Sequence, residues 1–208
     1  MFIELFLNPA GRFLDYAAGY GLFVRLMRDI GYDFHWADKY CQNLFARGFE
    51  EPLPLTDRFA AVTAFEVFEH LPDPMGEFAE ILKATDCLIL STSLLPAPAP
   101  PLEHWPYYGL EHGQHISFYT LESLKSVGQQ FGFQCISDGE AFHVLMRRPI
   151  TPRLLKRIDN VWWQRWISRT RQRASLTGSD NTEIVRRLSV LGAGDGATLK
   201  AGKNSSRV

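Results

Sequence analysis

A chain of 208 residues, 46% hydrophobic and 22% charged, has the size and balance of one ordinary globular domain and is too short for two well-buried ones. No apolar run reaches the ~18 residues of a membrane-crossing helix, and Met1 to Pro9 lack the basic start of a signal peptide, so the expectation is an unexported, cytoplasmic protein. The net charge of −1 hides a division: residues 1–146 carry 8 basic and 19 acidic side chains, whereas residues 147–173 carry 9 basic and one acidic. An acidic body with a basic appendage argues against nucleic acid as the partner of the body.

In chain order, Phe13 to Ala17 reads as a first strand, and Gly21 opens a helix in which Leu22, Leu26 and Ile30 share one face before Gly31 closes it. Phe34 to Asp38 reads as a second strand, followed by a short helix from Cys41 to Ala46. The apolar run Phe59 to Phe65 fits a central strand buried on both faces. Pro74 suits the first turn of the next helix, where its missing N–H costs nothing, and that helix turns Phe78, Ile81 and Leu82 inward. Cys87 to Thr92 is the following strand. The proline-rich stretch from Leu94 to Pro106 is a long loop beyond that strand's C-terminal end. Thr120 is a good N-cap for a helix holding Ser123, Leu124 and Val127. Phe133 to Ser137 and Ala141 to Met146, around Asp138-Gly139-Glu140, form a closing antiparallel hairpin. Alternating strands and helices of this kind predict an α/β fold with a mostly parallel sheet. Cys41, Cys87 and Cys135 form no CxxC pair and read as buried small apolar residues, not as a disulfide framework or zinc site.

A strand ending in Asp15, then a glycine loop (Gly19, Gly21), then a helix N-terminus is a site for a nucleoside-bearing ligand, because glycines let backbone N–H groups approach closely. Asp38 ends the second strand 17 residues after Gly21, where a carboxylate can accept both ribose hydroxyls. A dinucleotide is disfavoured: G-x-G-x-x-G needs a third glycine where Val24 stands. The sequence trio His104, His112 and His115 lies on a loop without a His-x-x-x-His helix or a nearby cysteine, so no metal is expected.

The loop from Asp15 to Gly21 resembles the first motif of class I S-adenosylmethionine-dependent methyltransferases, hydrophobic-Asp-x-Gly-x-Gly-x-Gly. Val62 to Pro74, with Glu69-His70 at its centre, resembles the motif ending that family's fourth strand. Gly113 to Thr120 is similar to the segment before the fifth large helix in members linked to sugar and polysaccharide modification. The resemblance spans about residues 11–148. It implies a Rossmann-like three-layer α/β/α sandwich over 1–148; beyond it, charge pattern and composition read as a basic amphipathic helical extension (149–191) and a disordered tail (192–208). It further implies S-adenosyl-L-methionine as cofactor, with Asp15, Ala17, Gly19 and Gly21 holding the methionine portion and Asp38 the ribose. Phe49 and Glu50, near the end of the third strand, would meet the adenine; Phe65 and Glu66 would lie under the sulfonium and adenosine. Three departures stand out. Ala17 replaces the first motif glycine, which suits the loop only if φ there is negative. Ala60 stands where an Asp usually follows the Phe, and about eleven residues precede the first strand, too few for the helix that commonly covers the site.

For a hydroxyl acceptor the protein must position the nucleophile, exclude water and remove a proton. His115 and His70 are the candidates for that task, with Trp105, Tyr108 and His112 as candidate lining of a small-molecule pocket. In the basic segment Leu154, Leu155, Ile158, Val161, Trp162 and Trp166 share a helical face. Residues 153–173 would therefore pack on the acidic domain, form a homodimer contact, or lie on an anionic membrane surface. The expected activity is methyl transfer to a small molecule such as a sugar hydroxyl or saccharide precursor. The competing reading is an inactive cofactor-fold module that binds partners through the basic helix.

Overall fold

The computed structural model describes residues 2–149, 171–187 and 189. After a short helix α1 (Phe2–Phe6) the elements are β1 (Arg12–Tyr16), α2 (Leu22–Asp29), β2 (Asp33–Ala37), β3 (Ala61–Phe65), α3 (Pro74–Ala84), β4 (Cys87–Ser91), α4 (Leu121–Gln130), β5 (Gln134–Ser137) and β6 (Phe142–Met146). A further helix, α5, runs over 177–187. The strands form one six-stranded sheet of order β2-β1-β3-β4-β6-β5. β2, β1, β3 and β4 are parallel, and β6 runs antiparallel to both β4 and β5. This is the Rossmann-like, mostly parallel sheet with a closing hairpin that the sequence implied.

Alternation with period two sorts the apolar side chains to the two faces. Leu14, Tyr16, Val62, Ala64, Leu88 and Leu90 join the core under α3 and α4, with Phe78 and Ile81 of α3 and Leu124 of α4. Their sequence neighbours Phe13, Ala61, Cys87 and Ile89 join the opposite core with Val24 of α2. Burying each large side chain contributes about 1.5–3 kcal/mol, so both faces must be covered for the parallel strands to hold. Phe68 and Phe78 stack at 3.9 Å under the first core, and the Asp73 side chain caps α3 through Gly76 N–H at 3.0 Å. Thr120 and Ser123 cap α4 reciprocally, a variant of the capping box with Ser at N3.

The structure departs from the sequence reading at α2. Leu22, Leu26 and Ile30 are all more than half exposed, and the sheet-facing stripe is Phe23, Val24, Met27 and Arg28. The reason is Arg28: only 5% exposed, its guanidinium is paired with Asp33 at 2.5 Å and Asp180 at 2.8 Å. A charged residue at an inward position hid the true stripe.

The segment from Cys41 to Ala46 is not helical. There the Asn43 side chain accepts from Ala46 N–H and donates to Ala46 C=O, a local turn that competes with helix. The third strand contracts to a single bridge between Trp36 and Glu50. Cys41 is exposed, contrary to expectation, while Cys87 is buried. The proline-rich loop contains two single-turn 3₁₀ segments, Leu102–His104 and Pro106–Tyr108. The amphipathic stretch 153–170 and the tail 192–208 lie outside the described residues. Among the described residues no helix is long and apolar enough to cross a membrane.

Candidate active site

The chain leaves β1 for β2 on one side and later enters β3 on the other, so the strand order reverses between β1 and β3. A crevice opens at such a point beyond the C-terminal strand ends, and ligands of open α/β sheets bind there. Asp15 lies at the end of β1, Glu66 directly after β3 and Ser91 at the end of β4, so the carboxyl-bearing residues of the sequence motifs converge on one edge.

The loop after β1 is built from left-handed backbone. Gly19 has φ 53° and Gly21 φ 85°, and a Cβ on Gly21 would come within 2.7 Å of Asn43 Oδ1. A Cβ on Gly19 would meet nothing within 4 Å, so Gly19 turns its bare face to open space, as a backbone approached by a ligand must. Ala17 also takes a positive φ, 54°, so the condition under which alanine suits this position is not met and the loop carries strain. Trp36 Nε1–H donates to Gly19 C=O at 2.9 Å, tying the loop to β2. Asp38 Oδ2 accepts from Gly19 N–H at 2.9 Å, while Oδ1 accepts from Tyr40 and Cys41 N–H at 2.7 Å each. The carboxylate thus locks the loop and retains a lone pair on Oδ2. Asp15 is 5% exposed and accepts from Thr63 Oγ1–H at 2.6 Å. Burial pushes its carboxyl up to about 7, with the charge of Asp38 adding to the rise and the Thr63 hydroxyl opposing it. A buried carboxyl in a glycine-lined crevice fits a cationic ligand that carries a nucleoside.

The candidate adenosine contacts divide. The Phe49 ring is buried beneath the Arg28 guanidinium at 3.6 Å, and Glu50 accepts from Asn43 Nδ2–H and Gly48 N–H at 2.8 Å each. Both therefore shape the turn 43–48. Phe65 is half-buried against Phe23 and Phe142. Glu66 takes φ 53°, a conformation that non-glycine residues seldom adopt outside functional sites; its N–H donates to Ser91 C=O, and its Oε1 accepts from Ser91 Oγ–H at 2.6 Å.

A cluster of the remaining candidates is assembled from two distant segments. A 3₁₀ turn at Phe68–His70 carries Glu69 and His70, and Ile116 and Ser117 N–H both donate to Glu69 C=O, which brings His115 alongside. The His70 and His115 rings are 4.8 Å apart, and one ligating atom each from Glu69, His70 and His115 lies within 4.8 Å of the others. His115 Nδ1 is 2.5 Å from Tyr107 C=O and His70 Nδ1 is 3.1 Å from Gln114 C=O. A carbonyl has no proton to give, so each Nδ1 donates, and each ring presents a free Nε2 lone pair. Glu69 is fully buried; Tyr107 OH donates to its Oε1 at 2.8 Å, and Oε2 has no partner. The same phenol lies 3.1 Å from Glu66 Oε2, with a single proton for two carboxylates. Burial, reinforced by the neighbouring Glu66 charge, raises the Glu69 carboxyl above its ordinary range.

Trp105 and Tyr108 pack on one another at 4.8 Å and both against Phe118, so they form a wall. His112 is exposed, 5.2 Å from His115. Sequence reasoning named the histidines and counted Tyr107 only among the aromatic residues 105–108 that could line a pocket, whereas it links Thr92, Glu66 and Glu69 through one hydroxyl. Its signal was weak, one aromatic among several in a proline-rich loop. It also grouped His115 with His104 and His112; the fold keeps His112 near His115 and adds His70 and Glu69 beside it.

A search of curated proteins finds no match. Solved structures share the fold at low identity. A complex of the Haloferax volcanii Trm112 methyltransferase activator with a methyltransferase matches at TM-score 0.54 and 12% identity, covering 71% of this chain and 86% of that one. Magnesium protoporphyrin IX methyltransferase (ChlM) from Synechocystis, solved with bound SAH, matches at TM-score 0.51 and 16% identity, covering 67% and 75%. The signature of the methyltransferase domain matches residues 2–138. Most of the chain is thus accounted for by one family signature, in agreement with the strand order and the order of the motifs: the chain belongs to the methyltransferase domain family, of the class I S-adenosylmethionine-dependent type.

Proposed function

We propose that this enzyme moves the methyl group of S-adenosylmethionine to a hydroxyl of a small molecule, a sugar or a saccharide precursor, held against the Glu69, His70 and His115 cluster. The observation that carries the reading is the cluster of His70 and His115 beside the buried Glu69 carboxyl, with each imidazole Nδ1 committed to a backbone carbonyl. The cofactor, when bound, supplies a methyl carbon on a cationic sulfur that is already a good leaving group. The remaining work falls to the chain: positioning the acceptor oxygen, excluding water and removing one proton.

In this reading the backbone of Ala17, Gly19 and Gly21 carries the methionine portion, beside the Asp15 carboxyl. The remaining lone pair of Asp38 Oδ2 takes one ribose hydroxyl, a closer limit than the bidentate contact expected from sequence. Phe49 and Glu50 support the adenine side indirectly, by holding the turn 43–48, and Phe65 and Glu66 floor the crevice. Trp105 and Tyr108 offer ring faces to a sugar, and His112 lines the outer edge.

Calorimetry with S-adenosylmethionine tests the cofactor site: binding is expected, with about a tenfold loss on Asp38→Ala, equivalent to roughly 1.4 kcal/mol. No binding at millimolar cofactor would sink the reading. Transfer of labelled methyl to a panel of sugars, amines and carbon acids tests the acceptor, and transfer to amines alone would overturn the hydroxyl assignment.

A further inference from the structure

We propose that Glu69, His70 and His115 hold a divalent transition-metal ion, zinc or a first-row neighbour, on which the acceptor hydroxyl is placed; the role of the ion rests on the methyl-transfer reading above. Four observations converge. One ligating atom from each residue already lies within 4.8 Å of the other two, a spread that small side-chain rotations close to the metal–ligand lengths of about 2.0–2.2 Å. Both imidazoles have Nδ1–H committed to backbone carbonyls, of Tyr107 and Gln114, which fixes the tautomer that leaves Nε2 to ligate; metal-binding histidines are held in this way. Glu69 is 0% exposed and its Oε2 has no partner, whereas buried polar atoms are nearly always satisfied. Finally, Glu66 and Glu69 share the single proton of the Tyr107 phenol, so Glu69 lacks the donors that would satisfy both of its oxygens and has room for a cation.

Two imidazoles and one carboxylate suit zinc, iron or manganese better than magnesium or calcium, which take all-oxygen shells. Three protein ligands leave at least one position open, as in catalytic zinc sites, and an alcohol oxygen bound there loses its proton more readily. Transfer then balances: the acceptor proton passes to water, the oxygen lone pair forms the O–C bond, the C–S bond breaks, and its electron pair stays on sulfur as a neutral thioether. The sequence spacing of histidines does not announce this site because its ligands come from residues 69–70 and 115, joined by hydrogen bonds between loops.

The test is titration of the metal-stripped full chain with zinc alone by calorimetry, and with cobalt(II) by its visible spectrum. One ion per chain is expected, with affinity reduced at least tenfold in His70→Ala and in His115→Ala and unchanged in His104→Ala. Because Glu69 is buried, Glu69→Gln is informative only if its circular dichroism matches the parent, and the half-buried histidines carry the test regardless. S-adenosylmethionine binding, measured in the same samples, should be equal in all variants. No stoichiometric zinc, or zinc binding indifferent to both histidines, overturns the metal site. Full methyl transfer in the stripped chain under chelator also overturns it while leaving the methyltransferase reading intact, the histidines then serving as bases. Zinc binding without cofactor binding would instead overturn the proposed reaction and leave the metal site standing.

Discussion

The φ of 54° at Ala17 places a Cβ where a glycine would carry none, a conformation that costs an L residue about 1–2 kcal/mol. Part of that cost is offset because alanine has less freedom than glycine to lose on folding. Ala17→Gly should therefore raise stability by roughly 1 kcal/mol, read as a higher urea midpoint at unchanged slope; a lower midpoint would mean that the neighbouring backbone has relaxed around the methyl group. Two residues earlier, the Asp15 carboxyl is held up at about 7 by burial, against an ordinary value of 3.8. A carboxyl whose folded pKa lies above its unfolded value contributes stability that is fully present below about pH 4 and lost as pH rises through about 7. The loss has a slope of at most about 1.4 kcal/mol per pH unit. Asp15→Asn keeps an acceptor for Thr63 and cannot ionise. Urea unfolding at several pH values should show the parent weakening from pH 4 to 7 and the variant flat by comparison, ahead by roughly 4 kcal/mol at pH 8. Identical pH profiles would show that Asp15 is ionised in the fold.

At the scale of elements, α2 joins the sheet to α5. The Arg28 guanidinium meets Asp180 through two hydrogen bonds of 2.8 Å, Asp33 at 2.5 Å and Phe34 C=O at 2.8 Å, and it covers the Phe49 ring. Removing one partner of such a buried pair costs about 3–5 kcal/mol because the other charge stays desolvated; Asp33 remains in Asp180→Ala, so the lower end applies. That variant should lower stability by about 3 kcal/mol, with Asp180→Asn in between, and thermal melts of the three proteins order them. This contact also marks how much the sequence disclosed. The strands were legible because their apolar residues alternate and both faces are buried, and α3 and α4 because Pro74 and Thr120 signal their starts. The inward face of α2 was not, because its key residue is a charge whose partner lies 152 positions away. The glycine loop could be read in place. The Glu69, His70, Tyr107 and His115 group could not, since two segments meet only through loop hydrogen bonds that no local pattern encodes.

Over the whole molecule the charge division turns out to have a structural counterpart in the described residues. The acidic body meets arginines that follow it in the chain: Arg171 donates to Glu4 C=O at 2.8 Å, Arg173 to Gly31 C=O at 2.8 Å, and Arg187 to Gly48 C=O at 2.9 Å. Glu4, only 8% exposed, also faces Arg171 at 3.5 Å and Arg173 at 4.0 Å. The Gly48 contact bears on the proposed cofactor site because Gly48 and Phe49 belong to the turn that we propose supports the adenine, and Ile184 of α5 lies against that same glycine. Residues 171–187 thus brace the body at Glu4, Gly31 and Gly48, the last beside the proposed cofactor site. A chain stopped after Pro149 should fold less stably by about 3–5 kcal/mol, since Arg28 and Glu4 both lose partners in partly buried positions. For a domain of this size that is a fall in melting temperature of roughly 6–20 °C. Loss of the brace on Gly48 should weaken S-adenosylmethionine binding by about tenfold, or 1.4 kcal/mol, measured by calorimetry well below the new melting temperature. Arg187→Ala separates the two effects: its exposed side chain contributes little to global stability, so a drop in cofactor affinity at an unchanged melting temperature isolates the brace. Equal affinity in the shortened chain and the parent would show that the crevice is held by the body alone.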